Sequence, residues 1–309
     1  MGSPDSLLRT QQVAGALGVS VSTIKRWVDS GALRATRTIG KHRMVPVSEA
    51  IRFARTQNLP HAELQALLGG GPTRLATVDD EAVAALADVL RKGRTAEARR
   101  RIVGAYAGLH DAARLADDLI GPVMAQVGYE WEVGTLDIYQ EHHATRVVEV
   151  ILTDLIGKVT ASNLPPGTPL ALCATPDGDL YTLSNLLCEL ALREMGWEVV
   201  NLGPNLPLAS MAKAVRTYRP ALAWLSIHHL ADPERFVQDY QGFHAAASAV
   251  GTAVCLGGAG LSSALRARLV AASFGERVSH LAEFARRLRP PTSTHSTISD
   301  DSQASNPKE

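Results

Sequence analysis

The sequence predicts a multidomain protein, α/β plus all-α, in which a winged helix-turn-helix, a four-helix bundle and a flavodoxin-like parallel α/β sheet follow one another. Three observations lead to this prediction. The first 60 residues are basic and contain two short helical patterns around a glycine, residues 78–160 show sustained helical periodicity, and residues 165–289 alternate apolar strands with amphipathic helices. The predicted boundaries are 1–60, a linker at 61–77, 78–162, 163–289, and a disordered polar tail at 290–309.

Composition limits the class of protein. The 309 residues are 46% hydrophobic and carry 31 basic against 31 acidic side chains, as expected of a soluble globular protein. No signal peptide and no membrane-spanning apolar run are visible, so we expect a cytoplasmic location and no membrane partner. Because Cys173, Cys188 and Cys255 have neither paired nor metal-type spacing, we expect reduced core thiols.

The charge is concentrated at the amino end. Nine basic and three acidic side chains precede residue 61, which gives this segment a net charge of plus six. Residues 10–17 predict a helix, Gly18 a turn, and residues 20–30 a second helix that Gly31 ends. Residues 33–38 and 42–45 predict a hairpin wing, and Ser48 is expected to cap a third helix.

The segment Ser22-Thr-Ile-Lys-Arg-Trp-Val, followed by Gly40-Lys-His-Arg, resembles the winged-helix DNA-binding domains of the MerR family and of excisionases. The resemblance implies that the second helix faces the major groove while the wing holds phosphate or reaches the minor groove. The DNA-facing residues would be Ser22, Thr23, Lys25, Arg26, Lys41, His42 and Arg43. Trp27 is expected to anchor the core. The alternative is a basic domain that only solubilises the protein or binds another protein.

The helical region is expected to form a bundle of four helices. The first helix is predicted to end near Gly93, and the second and third to run over 95–108 and 110–127. The fourth is predicted to run from about 136 to 159. In the carboxyl-terminal region, strands are predicted at 169–174, 197–202, 221–227 and 252–256, with a weak fifth at 271–274. Apolar strands separated by helices favour a parallel sheet, whose ligands bind at the carboxyl ends of the strands.

The loop after the first of these strands contains Asp179-Leu-Tyr-Thr-Leu-Ser184. It resembles the cobalamin-binding loop of methionine synthase and its relatives, Asp-x-His-x-x-Gly, with counterparts of the later Ser-x-Leu and Gly-Gly elements at Ser226 and at Gly257-Gly258. The resemblance implies a corrinoid site that includes Asp179, Tyr181, Ser184, Ser226, Gly257 and Gly258. Tyr181 replaces the cobalt-ligating histidine and Ser184 replaces the closing glycine. A glycine pair after a strand is also an ordinary turn.

A second resemblance covers the bundle. Trp131 is followed after nine residues by Glu141 and His142, an arrangement similar to that of the light-responsive MerR-type repressors called CarH or LitR. In that group these residues cover the upper face of adenosylcobalamin. The histidine that follows the tryptophan there is Glu132 here, so the light adduct of that histidine is not expected. The alternatives are a tryptophan that plugs the bundle and a solvated Glu-His pair at a helix start.

Three residues are candidates for a cobalt ligand: Tyr181, His228 and His229. A neutral phenol is a poor donor to cobalt. His228 and His229 follow a predicted strand on the pocket side and would supply an imidazole; otherwise they are polar loop residues.

The predicted function is transcriptional regulation rather than catalysis. The expected partners are a double-stranded DNA operator and other copies of the chain, as dimer or tetramer, and the expected cofactor is adenosylcobalamin. Two alternatives remain open. The protein regulates without cobalamin, through another tetrapyrrole or a partner protein, or it carries a corrinoid for a methyltransferase.

Overall fold

The computed structural model describes residues 7–37, 42–57, 78–160 and 164–288. The predicted linker and tail, and the turn at 38–41, lie outside these residues. Within them the predicted fold class is confirmed, with an amino-terminal helix-turn-helix, a helical bundle and a five-stranded parallel sheet. In these ranges no helix is both long enough and apolar enough to cross a membrane.

The amino-terminal part begins with β1 (Leu7–Arg9), which the sequence analysis did not predict and which pairs antiparallel with β3. Helix α1 (Thr10–Leu17) ends at Gly18, whose φ of 66° is left-handed. Helix α2 (Val21–Asp29) is capped by Ser20, which accepts the Thr23 amide at 3.2 Å. The wing strands β2 (Thr36–Arg37) and β3 (Arg43–Pro46) pair antiparallel.

Helix α3 (Val47–Thr56) follows β3 without a connecting residue. Ser48 therefore lies within its first turn, and the prediction that Ser48 caps the helix was wrong. Trp27 packs against Phe53 of α3 with ring centroids 4.8 Å apart, so its predicted role as a core anchor is confirmed.

The bundle contains α4 (Asp80–Arg91), α5 (Thr95–Leu109), α6 (Ala112–Arg114), a π-helical segment (Leu115–Ile120), α7 (Gly121–Glu132) and α8 (Ile138–Val159). The third predicted helix was wrong in its bounds, because His110 is the left-handed cap of α5 and the helix continues to Glu132. Its π-helical turn has a local cause. Pro122 has no amide hydrogen to donate to the preceding turn, and the Gly121 amide bonds instead to the Ala116 carbonyl.

The α/β region has strands β4 (Leu170–Ala174), β5 (Glu198–Asn201), β6 (Leu222–Ser226), β7 (Ala253–Gly257) and β8 (Ser273–Gly275). They are parallel in the order β5-β4-β6-β7-β8, which is the flavodoxin-like arrangement. The connecting helices are α9 (Leu183–Glu194), α10 (Leu208–Tyr218), α11 (Pro233–Ala249) and the short α12 (Ser263–Arg266), and α13 (Val278–Leu288) follows β8.

The sheet has an apolar core on each face. Leu172, Leu225 and Leu256 point to the face covered by α10 and α11, while Cys173, Trp224 and Cys255 point to the face covered by α9 and α13. Helix α9 also packs against α8, and its Leu187 and Leu190 belong to the core of the bundle. The carboxyl ends of β6 and β7 open beside the bundle.

Candidate functional site

The first candidate surface is the exposed side of α2. Ser22, Lys25 and Arg26 are exposed and Thr23 is half-buried, whereas Ile24 between them is buried. The alternation follows from a short amphipathic helix that rests one face on the core. Polar and cationic side chains are thereby presented together on one face, as groove-reading residues require.

The wing residues differ from one another. Arg43 donates to Asp29 at the end of α2, with Nη2–Oδ1 and Nε–Oδ1 distances of 2.6 and 3.2 Å. Its charge is therefore partly compensated by a residue of the same surface. His42 is exposed, and Lys41 lies outside the described residues.

The second candidate site starts at the loop after β4, which the Asp179 carboxylate holds in place. Asp179 is 0% exposed; its Oδ1 accepts the Tyr181 amide at 3.0 Å, and its Oδ2 accepts the amides of His228 and His229 at 2.6 and 3.2 Å. One buried carboxylate thus ties the loop after β4 to the loop after β6. Charge-assisted bonds to buried amides are among the stronger hydrogen bonds in proteins.

Tyr181 of this loop and Ser184 in the first turn of α9 contact His228. The Tyr181 ring lies 5.3 Å from the imidazole between centroids and is 59% exposed, while Ser184 Oγ lies 2.9 Å from His228 Nε2. Burial lowers the pKa of His228, and Asp179 opposes that shift. The imidazole is therefore predominantly neutral near pH 7.

A cavity of about 500 Å³ opens between these loops and the bundle. The α/β domain contributes the ends of β6 and β7 and one side of α9 and α13, and the π-helical segment and α7 close the other side. Two of the thiols, Cys188 and Cys255, line it, and burial raises the pKa of each to about 12. The described cysteines are free and buried, in agreement with the prediction of core thiols.

Gly257 and Gly258 also line this cavity, and the backbone explains both. A Cβ at Gly258 would lie 2.2 Å from the Ile227 carbonyl oxygen, and one at Gly257 would lie 2.8 Å from the Gly275 carbonyl oxygen. Close packing of neighbouring loops therefore requires these glycines. Their presence alone is not specific for a ligand.

The sequence analysis missed Asn185, which organises the floor of the cavity. Its Oδ1 accepts bonds from Trp224 Nε1 at 3.0 Å and from Ser226 Oγ at 2.8 Å, so predicted residue Ser226 is engaged within the protein. Asn185 is 2% exposed, and within the described residues its Nδ2 has no hydrogen-bond partner. The sequence does contain a signal that could have identified this network, because an asparagine stands among the leucines of α9.

The residues predicted to cover the upper face of the cofactor lie on α7 and α8 of the bundle. Trp131, near the end of α7, and His142, in the first turns of α8, are 47% and 73% exposed, and Glu141 accepts from Thr145 at 2.8 Å. Farther along α8, Glu149 accepts a hydrogen bond from Thr182 of the loop after β4. Glu141 precedes Glu149 by eight residues on α8. At the rise of an α-helix it therefore lies about 12 Å from Glu149 along the axis of α8, away from the Thr182 contact.

A set of contacts around Asp117, called here the Asp117 clamp, joins the bundle to α13 of the α/β region. Asp117 of the π-helical segment accepts the amides of Val278 and Ser279 at 2.8 and 3.1 Å, and thereby caps α13. The Arg277 guanidinium lies 3.5 Å from the same carboxylate. The sequence analysis did not predict this clamp, since its partners are 160 residues apart.

These residues fit a corrinoid in part. The cavity has the volume of a small-molecule pocket, and exposed apolar side chains such as Leu180 and Trp131 occur on both sides of the gap. Behind its lining residues Trp224 and Ser226, Asn185 keeps an Nδ2 that has no hydrogen-bond partner within the described residues. Tyr181 does not fit the role of the pattern's histidine. Within the described ranges no group of three or more His, Cys, Asp or Glu is arranged to hold a free metal ion.

Comparison with known proteins assigns the first two parts of the chain. A model described as a helix-turn-helix domain matches residues 7–58, and one described as a B12 binding domain matches residues 82–155, which contain most of the bundle. A helix-turn-helix domain implies DNA binding, and a B12-binding domain suggests a corrinoid ligand.

Curated relatives match over part of their length. The "HTH-type transcriptional repressor CarH" of Myxococcus xanthus is 30% identical over 110 residues, 36% of each chain, and the repressor CarA of the same organism is 28% identical over 126 residues, 41% of each chain. The aligned segment thus spans about two fifths or less of these relatives.

Among solved structures, the monomethylamine corrinoid protein of Methanosarcina barkeri aligns with a TM-score of 0.55 at 17% identity, over 68% of this chain and 99% of that one. At this identity the likeness concerns the fold alone. The predicted resemblance is confirmed at this level: the chain combines a helix-turn-helix domain with a B12-binding domain and is distantly similar to the CarH and CarA repressors.

Proposed function

We propose that the protein is a DNA-binding transcriptional repressor whose oligomeric state and DNA affinity are set by a corrinoid, light-sensitive adenosylcobalamin. The observation that carries this proposal is the combination in one chain of an exposed, partly cationic recognition helix with a B12-binding domain whose cavity faces a parallel sheet. Similarity to transcriptional repressors weakly favours a role other than catalysis.

The helix-turn-helix performs the DNA step. Helix α2 enters the major groove and presents Ser22 and Thr23 to base edges, while Lys25 and Arg26 pair with base edges or phosphate. His42, Arg43 and Lys41 extend the contact through the wing. Because one such surface covers only a half-site, specific binding requires two or more copies of the chain on a repeated or palindromic operator.

The corrinoid step belongs to the gap between bundle and sheet. When bound, adenosylcobalamin supplies a cobalt–carbon bond that light breaks. Trp131, Glu141 and His142 would cover one side of the bound corrinoid, and the cavity beside Ser226, Gly257 and Gly258 would hold its nucleotide tail. The Asp117 clamp and the Glu149–Thr182 bond hold the bundle against the α/β domain around this gap.

The test combines three readouts on the full-length protein. Purified protein is mixed with adenosylcobalamin in the dark, desalted, and examined by absorption, by sedimentation velocity and by mobility shift on a duplex selected from a random pool. We expect corrin absorbance to be retained, a larger assembly to form, and DNA binding to tighten. Green light should reverse the last two changes. A double variant, Lys25→Ala with Arg26→Ala, should retain the corrin but not the DNA.

A second candidate follows from Tyr181, the residue in place of the pattern's histidine. In this alternative the pocket does not use cobalamin, and the repressor responds to another tetrapyrrole or to a partner protein. A colourless desalted sample that still binds the selected duplex would favour it. A corrin-retaining sample without sequence-specific DNA binding would instead favour a corrinoid carrier for a methyltransferase.

A further inference from the structure

The two positions at which the loop after β4 departs from the cobalamin-loop pattern contact the same side chain. Tyr181 replaces the pattern's histidine, and its ring lies 5.3 Å from the His228 imidazole at an interplanar angle of 31°. Ser184 replaces the pattern's glycine, and its Oγ lies 2.9 Å from His228 Nε2. A glycine at position 184 would leave this nitrogen without that bond. Both departures thus help to position an imidazole that comes from another strand.

The third contact of His228 is with Asp179. The carboxylate Oδ2 accepts the backbone amide of His228 at 2.6 Å and lies 4.0 Å from the ring Nδ1, which has no hydrogen-bond partner among the described residues. A carboxylate on this side favours the tautomer with hydrogen on Nδ1. The lone pair is then on Nε2, where the Ser184 hydroxyl donates to it.

Ligand chemistry distinguishes the side chains around this loop. A neutral imidazole nitrogen binds cobalt-type metals without losing a proton, whereas the Tyr181 phenol must first be deprotonated. A corrin already supplies the equatorial nitrogens, so a single protein donor completes the lower side. His229 is the neighbouring imidazole and its backbone amide also bonds to Asp179, but its side chain is exposed and lacks the contacts with Tyr181 and Ser184 that the His228 ring has.

We propose that His228 Nε2 is the lower axial ligand of the corrinoid cobalt, in the place of the histidine that the loop lacks. This inference rests on the proposed corrinoid function and goes beyond it by naming the ligand. On binding, the Ser184 hydroxyl releases Nε2 to the metal, and Asp179 continues to fix the ring. Tyr181 is largely exposed, so displacing it from the imidazole sacrifices little buried surface.

Electron paramagnetic resonance of bound cob(II)alamin tests the proposal, because a nitrogen on the lower axis splits each cobalt line. The full-length protein is produced with ordinary histidine and with ¹⁵N-histidine, loaded anaerobically with cob(II)alamin and desalted. Ordinary ¹⁴N gives triplets and ¹⁵N gives doublets. We expect triplets that become doublets on histidine labelling. His228→Gln should abolish the protein-derived splitting, whereas His229→Gln and Tyr181→Phe should keep it.

Other outcomes separate the two levels of the proposal. Retained corrin whose triplets do not respond to labelling would identify the base of the nucleotide tail as the ligand and overturn the assignment of His228 alone. Retained corrin without nitrogen splitting would do the same in favour of water or a phenolate. Loss of splitting in His229→Gln but not in His228→Gln would move the role to His229. A sample that retains no corrin would overturn the corrinoid function together with the ligand. Far-ultraviolet circular dichroism shows whether His228→Gln is folded.

Discussion

The exposed face of α2 and the cavity beside the sheet are built in different ways. On α2 the polar residues belong to one nine-residue helix, and a single cap at Ser20 orients its first turn. Around the cavity, one carboxylate, Asp179, holds two loops that come from different strands, and the opposite wall belongs to the bundle. A substitution on the exposed face of α2 should therefore affect only that helix. One in the cavity loops should disturb several segments at once.

The largest effect is expected at Gly258. Its φ is 106°, and the new Cβ of Gly258→Ala would lie 2.2 Å from the Ile227 carbonyl oxygen, so the backbone of one loop must move. We expect the free energy of unfolding of the α/β region to fall by about 3 kcal/mol in urea denaturation. Gly178→Ala is the control, since φ is 82° but no atom lies within 4 Å, and only about 1 kcal/mol of strain applies. Equal losses would mean that backbone conformation alone, rather than loop contact, sets the cost.

The second effect concerns the carboxylate that joins the loops. Asp179→Ala leaves three amides without their acceptor, and we expect a loss of about 2 kcal/mol of unfolding free energy. Asp177→Ala, two residues earlier and exposed, should change stability by less than about 0.5 kcal/mol. If the two variants melt together, the loops are held by other contacts and the Asp179 link is dispensable.

Local features such as the α2 surface were easier to predict from the sequence than the cavity, which is built from distant segments. The bounds of α1 agreed with the prediction, and those of α2 and α8 to within about two residues, because glycine turns, caps and apolar periodicity act over a few neighbours. The weak strand near residue 273 was also found. The bounds of the third bundle helix were wrong at both ends, because His110 is the left-handed cap of α5 and α7 continues to Glu132.

The site formed by the loops after β4 and β6 and by the bundle was harder to predict. Spacing identified Asp179, Tyr181 and Ser184 as one loop, but the contact of Ser184 with His228 joins residues 44 positions apart and depends on how β4 and β6 pair. Asn185 and Asp117 were missed for the same reason, because only the tertiary fold brings in Trp224 or Val278. Whether the site residues bind a corrinoid stays a prediction.

On α2 the expected effect is on DNA rather than on stability. Lys25→Ala removes an exposed cation from the side of α2 that we propose to face the groove, so affinity for the selected duplex should fall by roughly tenfold at low salt, and the slope of log affinity against log salt should decrease by about 1. Fluorescence anisotropy over a salt series measures both quantities. Lys213→Ala, an exposed lysine of α10, is the matched loss of one charge and should change neither. An unaltered slope in Lys25→Ala would remove α2 from the DNA interface.

The smallest effect belongs to the wing, where Arg43 already has a partner. Asp29→Asn weakens the pair with Arg43 and removes a negative charge beside α2, so DNA affinity should rise by roughly threefold while stability falls by about 0.5 kcal/mol. The control is Asp239→Asn, which weakens the exposed pair with Arg235 on α11 and should lower stability alone. A parallel loss of affinity and stability would show that the Asp29–Arg43 pair positions the wing instead of restraining its charge.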